Sequence, residues 1–291
     1  MIKSEDKKSF QSQKNDKNTL LGSAPVGQLM VKLALPSIVA QMINILYNIV
    51  DRIYIGHIPE AGSLALTGLG ICFPIITLIS AFSAFAGAGG APLAAIELGK
   101  AEFDGDAKKR ALEILGNVII MIIAFSAILT FVFLVFKEPI LLAFGASENT
   151  LPYASDYLSI YLIGTIFVQI SVGLNPFISC QGFAKTAMAS VIIGAVVNIV
   201  LDPIFIFGFH LGVRGTAFAT VISQGISAIW IIRFLASKKS ALSLSLKIIK
   251  FNPKIIGKIA SLGISPFIMQ STESAIFVVF NSGLQKYGGD L

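Results

Sequence analysis

The sequence predicts an all-α membrane protein with seven spans, on three observations. Hydrophobic residues make up 55% of the 291 and charged residues only 13%, where soluble domains carry about a quarter charged residues. Apolar runs of about 20 residues, the length that crosses a bilayer as a helix, recur along the whole chain. The basic residues sort to one side of those runs rather than into a patch.

The spans are expected at about 31–54, 63–90, 110–136, 155–180, 185–207, 214–236 and 259–285. Turn signals separate them: GHIPEAG, FDGD, FGAS, CQGF and GFHLG. The first 28 residues are rich in Lys, Ser and Gln and lack an apolar core. They read as a disordered segment, not as a signal peptide.

A net charge of +6 raises the question of nucleic acid, but the distribution answers it. Eighteen of the 22 Lys and Arg fall on the side of the N-terminus, of Lys100 to Arg110 and of the 238–258 loop; Arg52, Lys137, Arg214 and Lys286 fall on the other. That bias places the N-terminus in the cytoplasm, with the bilayer rather than nucleic acid as the partner. Cys72 and Cys180 lie in apolar segments with no CxxC spacing and read as packing residues.

Span 1 carries Gln41, Asn44, Asn48 and Asp51 at spacings of 3, 4 and 3. One helical face therefore holds all four, and such a face must look into a bundle or a wet cavity. At its end Asp51 is equally readable as a cap beside Arg52. Span 2 contains FAGAGGAPLAA at 85–95. No Lys-Ser or Lys-Thr follows it, so it is a close-packing surface, not a phosphate loop.

Span 4 offers Tyr157, Tyr161, Gln169 and Asn175, and span 6 offers Thr216, Thr220 and Ser223 on one face toward span 5. Span 7 resembles span 1 in its Lys-apolar-Ala entry and early proline, as a repeat would, and adds the carboxylate Glu273.

The stretch NIVLDPIFIFG at 198–208 is the most informative. Asn198 and Asp202 are four residues apart on one helical face, and Pro203 leaves the Ile199 carbonyl without its intrahelical donor. An intramembrane carboxylate is expensive unless it has a use, though a helix-gluing polar pair is the plainer alternative. In low dielectric the group prefers to be neutral unless a cation holds it ionised. Oxygen donors of this kind suit a hard cation.

Together VDRIYIGH (50–57), CQGFAKTAMAS (180–190), NIVLDPIFIFG and GVRGTAFATVISQ (212–224) resemble the multidrug and toxic compound extrusion (MATE) transporters, most of all the bacterial DinF-like and MepA-like branches. The resemblance covers roughly residues 20–285. It implies the six-helix N-lobe of a twelve-helix fold at 29–236, a cytoplasmic inter-lobe loop at 237–257 and the start of a C-lobe at 258–291, the chain being truncated. It also implies a non-enzymatic antiport of organic cations against sodium ions or protons in a bacterial plasma membrane, without a cofactor and needing the missing C-lobe.

By position the resemblance assigns Asp51, Asn198, Asp202 and Thr220 to cation coupling, with sodium as a candidate ion, and Tyr157 and Asn175 to the polar surround. Glu273 matches the acidic residue of the seventh helix, and the Gln41, Asn44, Asn48 face joins it as cavity lining. A lipid-linked oligosaccharide flippase of the same superfamily is the alternative, but it calls for basic residues in mid-span, and none of the 22 falls there. A non-transporting fragment is the other.

Overall fold

The structure, a computed structural model, describes residues 26–288 apart from Glu60, Glu102 and 245–248, with backbone only at 26, 28, 29, 32 and 33. Nine α-helices and no strand occur among the described residues. They are α1 (Val26–Gly56), α2 (Gly62–Lys100), α3 (Ala107–Val135), α4 (Lys137–Ala143), α5 (Leu151–Ile163), α6 (Thr165–Ser179), α7 (Ala184–Pro203), α8 (Val213–Leu235) and α9 (Pro253–Gly288).

Each of the seven expected spans is helical, and six helices are individually long and apolar enough to cross a membrane. Helices dominate because a spanning backbone has no water to satisfy its N–H and C=O groups. The disordered segment expected over 1–28 lies outside the described residues up to position 25, and α1 begins at Val26.

Span 4 departs from expectation. It is two helices, α5 and α6, bent by 60° at Gly164. A side chain at Gly164 would collide with Val221 on α8, at 2.5 Å from its methyl carbon, so α8 passes through the notch of the bend. The break also makes α6 an independently oriented element carrying Gln169 and Asn175.

The core is two-part. One cluster gathers Ile75, Ile79, Leu158 and Leu162 near the α5 half. The other gathers Leu115, Ile122, Phe177, Ile178 and Ile231 near the opposite end.

The glycine-rich stretch of α2 packs helices at near backbone contact, as expected. A Cβ on Gly87 would lie 2.3 Å from the Gly173 carbonyl oxygen on α6, and one on Gly89 2.3 Å from the Ile259 carbonyl oxygen on α9. The longest contact in the fold is that of α9 along α2. Ser274 Oγ donates to the Pro74 carbonyl at 2.8 Å and Asn281 Nδ2 to the Gly70 carbonyl at 3.1 Å.

The loop from α8 to α9 is strapped to the bundle. Gln181 Oε1 accepts the Ala241 N–H at 2.7 Å, the Leu242 N–H at 3.2 Å and the Ser240 hydroxyl at 3.0 Å. Farther on, the Asn252 N–H donates to Asn117 Oδ1 at 2.8 Å. Leu242 is fully buried between those anchors.

Candidate functional site: a buried carboxyl pair beside a polar cavity

Helices α1 and α7 pack face to face, which brings together Asp51 and Asp202 from distant parts of the chain. Asp202 and Asn198 are fully buried and Asp51 nearly so. Asn198 Nδ2 donates to Asp202 Oδ1 at 3.4 Å, the pairing that the four-residue spacing requires. The Asp51 and Asp202 carboxyl groups face each other within hydrogen-bond range.

Among the described residues no N–H or hydroxyl donates to Asp51 Oδ1, Asp202 Oδ2 or Asn198 Oδ1. Two carboxylates only accept, so the contact needs a proton on one of them or a cation between them. Three inward oxygens without a protein donor suit either. Among the described residues no three His, Cys, Asp or Glu are grouped so that they could hold a metal ion.

Immediately after the pair the chain leaves the α-helix. Pro203 is followed by a π-helical turn, Ile204–Gly208, in which the Phe209 N–H reaches the Ile204 carbonyl at 2.9 Å. Gly215 of α8 abuts the Phe205 backbone, its Cβ position 2.8 Å away, and so holds the turn against α8.

The four residues that the resemblance assigns to coupling do not form one shell. Tyr157 of α5 lies close to Thr220 of α8 and within electrostatic range of Asp51. Thr220 thus joins the pair through Tyr157, on the α5 side. The cross-helix bond expected from the Thr216, Thr220, Ser223 face is instead made by Ser227, whose hydroxyl donates to the Ser190 carbonyl on α7 at 2.9 Å. Ser223 donates to the Thr220 carbonyl of its own helix at 2.8 Å.

Beside the pair lies a cavity of about 710 Å³ between α1, α2, α6, α7, α8 and α9. Gln41, Asn44, Asn175 and Glu273 line it, as expected from the sequence. Asn48 and Tyr157 are not in the lining. Asn48 turns its amide onto the Asn44 carbonyl of its own helix at 2.7 Å, and Tyr157 is buried.

Asn175 reaches the cavity but its amide is occupied, donating to the Ala187 carbonyl at 3.0 Å and Ser190 Oγ at 2.7 Å. It ties α6 to α7 and does not surround the carboxyl pair. Glu273, read as a deep carboxylate, is exposed on the cavity wall.

Tyr47 lies beside the polar stripe in the sequence but was not among the residues expected at the site. It lines the cavity and lies within electrostatic range of both Asp51 and Asp202. Its position one turn before Asp51 was the available signal. Gln224 also contributes, accepting the Ser171 hydroxyl at 2.5 Å on the cavity wall. No Lys or Arg is among the lining residues.

The MatE family profile matches residues 36–204, more than half the chain. The chain belongs to the MatE family. The multidrug export protein MepA of Staphylococcus haemolyticus is 29% identical over 259 residues, covering 89% of this chain and 56% of that one. MepA of Staphylococcus aureus strain NCTC 8325 is 26% identical over 265 residues, covering 91% and 57%. The solved MATE multidrug transporter DinF-BH is 32% identical with a TM-score of 0.84, covering 92% of this chain and 59% of that one.

This MatE chain thus spans a little over half the length of the curated relatives it matches. The all-helical membrane fold expected from the sequence is that of the family.

Proposed function

We propose that this MatE chain forms the ion-coupling and cargo-binding lobe of a secondary multidrug exporter. The observation that carries the reading is the buried Asp51–Asp202 pair set next to a polar cavity. A carboxyl pair that must hold a proton or a cation is an exchange site, and Tyr47 connects it to the cavity wall.

Cargo is read from the lining. Neutral amides and hydroxyls surround one carboxylate, Glu273, with Tyr47 and Phe73 as the aromatic faces. That combination favours lipophilic cations, through charge attraction and cation–π contact. It disfavours the flippase alternative, because a diphosphate head group requires several basic residues, whereas none lines this cavity and the Arg52 guanidinium reaches it at a single lining ring, that of Phe73. MepA is named as a multidrug export protein and DinF-BH as a multidrug transporter, which agrees with this reading.

Sodium or protons enter as the exchanged ion. Asp51, Asp202 and the Asn198 oxygen would hold either, with Thr220 acting through Tyr157. A second lobe closes the cavity from the side of α1 and α9, whether from a longer chain or from a second copy. The basic bias puts the N-terminus and the α8–α9 loop on the cytoplasmic side of a bacterial plasma membrane.

The test is cargo efflux from cells or proteoliposomes with the transporter in its functional form, driven by an imposed sodium or proton gradient. Ethidium export that follows the gradient supports the reading. Equal export of anionic dyes, or export indifferent to both gradients, rejects it.

A further inference from the structure

The Arg52 guanidinium sits over the ring of Phe73, 5.3 Å from its centroid. Phe73 lines the cavity, and its ring is also packed edge-on by Phe277 of α9 at 4.8 Å. Glu273, the cavity carboxylate, lies one helical turn before Phe277, on the same face of α9.

The backbone directions explain the contact. Side chains on a helix lean toward its N-terminus. Arg52 is near the C-terminal end of α1 and leans back along α1, its side chain remaining exposed. Phe73 leans toward the start of α2, which lies at the same end. The two meet with Phe73 half-buried and Arg52 still exposed, so the guanidinium lies on the ring without being enclosed.

Among the described residues no carboxylate lies within ion-pairing distance of Arg52, although Asp51 is its chain neighbour. Phe73 therefore already holds a cation, supplied by the protein itself. A guanidinium over an aromatic face within about 6 Å gains roughly 0.5–2 kcal/mol.

We propose that Arg52 is a resident competitor for the cargo site: an incoming lipophilic cation takes the Phe73 face, with Glu273 on the wall of the same cavity, by displacing the Arg52 guanidinium. This rests on the cation-cargo reading above and goes beyond it by naming a residue that sets the affinity threshold. Arg52 excludes small hydrated cations, which gain too little from the ring to displace it, and admits large apolar ones. On displacement the guanidinium is left near Asp51, whose charge it already feels, so cargo entry and the ionic state of the carboxyl pair become linked through one side chain.

A binding cycle tests this on the protein in lipid nanodiscs, with ethidium as the probe. Removing the competitor in Arg52→Gln lowers the ethidium Kd about two- to thirty-fold, the stacking gain expressed as a ratio. Arg52→Lys, which keeps the charge but stacks less well, gives a smaller decrease. In a Phe73→Leu background the Arg52→Gln change shrinks to under about two-fold, because there is no ring left to contest.

The same Arg52→Gln improvement in both backgrounds means simple charge repulsion and overturns the proposal, as does no improvement in either. If the wild-type protein itself binds no ethidium, the cation-cargo reading falls as well. Binding by wild type without coupling between positions 52 and 73 removes the competitor role alone. Thermal unfolding of each variant accompanies the cycle, and Arg52→Lys supplies the sign if Phe73→Leu fails to fold.

Discussion

The Asn281 side-chain amide donates to the Gly70 carbonyl, 3.1 Å away, which is the carbonyl that Pro74 leaves without a donor. The proline weakens α2 and a residue more than two hundred positions later mends it. The Ser274 hydroxyl reinforces the same turn at the Pro74 carbonyl. These bonds fix α9 in register on α2, and α9 carries Glu273 to the cavity and Phe277 to Phe73.

The docking depends on near backbone contact, which gives the first prediction. A Cβ on Gly263 would lie 2.1 Å from the Phe85 carbonyl oxygen, whereas one on Gly257 meets nothing within 4 Å. Gly263→Ala is expected to lower stability by about 2–3 kcal/mol by levering α9 off α2. Gly257→Ala should be neutral or stabilising by up to about 1 kcal/mol. Thermal unfolding in detergent compares the two, and equal behaviour would contradict the interface.

Gln181 gives the second. Its side-chain oxygen takes three donors from the α8–α9 loop. Gln181→Leu keeps the size and removes the acceptor. Hydrogen exchange at the Ala241 and Leu242 amides should speed up by at least about ten-fold, the equivalent of one lost bond of about 1.4 kcal/mol. Exchange within α7 and α8 should not change. Unaltered exchange at 241 and 242 would show that the strap is held by Leu242 burial alone.

Outside the membrane, Asp104 in the α2–α3 loop accepts from Arg110 Nη2 at 2.6 Å and from the Asp106 N–H at 2.9 Å. The Arg110 hydrogen bond, first of these influences, holds the Asp104 carboxyl below its ordinary value. A lowered value in the folded state means that the contribution is complete above the unfolded value of about 4 and disappears as pH falls through the folded one. Wild type should therefore exceed Asp104→Asn in Tm at pH 7, with the gap closing on acidification below about pH 4. The group is fully exposed, so the gap should be small and should shrink in 1 M salt.

Much of this was legible in the chain. Polar residues at 41, 44, 48 and 51 announced a polar face on α1, which meets the cavity at Gln41 and Asn44 and buries Asp51, and Asn198 with Asp202 announced its counterpart on α7. Helical periodicity sees neighbours one turn apart, so it found Asn198–Asp202. Without the family resemblance it had no means to pair Asp51 with Asp202 across two helices.

The bend at Gly164 was hidden for a similar reason. IYLIGTIF is continuous apolar sequence with no proline, and the neighbour that requires a glycine at the bend, Val221, is far along the chain. Asn48 was placed in the cavity because its face allowed it, and Tyr157 beside it because the family resemblance put it there. Rotamer and packing decided otherwise, sending the Asn48 amide to its own backbone and burying Tyr157 against Thr220.

The last prediction concerns the carboxyl pair. Asp51 and Asp202 face each other at the α1–α7 contact with no N–H or hydroxyl donor to Asp51 Oδ1 or Asp202 Oδ2 among the described residues. Such an arrangement is costly to the fold, since a buried charge without a donor is destabilising. Asp202→Asn removes one acidic group, keeps the shape, and supplies an N–H donor to Asp51. Stability should stay level or rise by about 1 kcal/mol, while ion-driven export is lost, because an amide can neither release a proton nor neutralise sodium. Asp51→Asn should behave alike. Thr220→Ala, which acts through Tyr157, should weaken coupling without abolishing it. Thermal unfolding and gradient-driven ethidium efflux, measured on the same variants, separate the two roles. Loss of stability with transport intact would make the pair a packing device. Gain or retention of stability with transport gone marks a site kept for exchange at the expense of the fold.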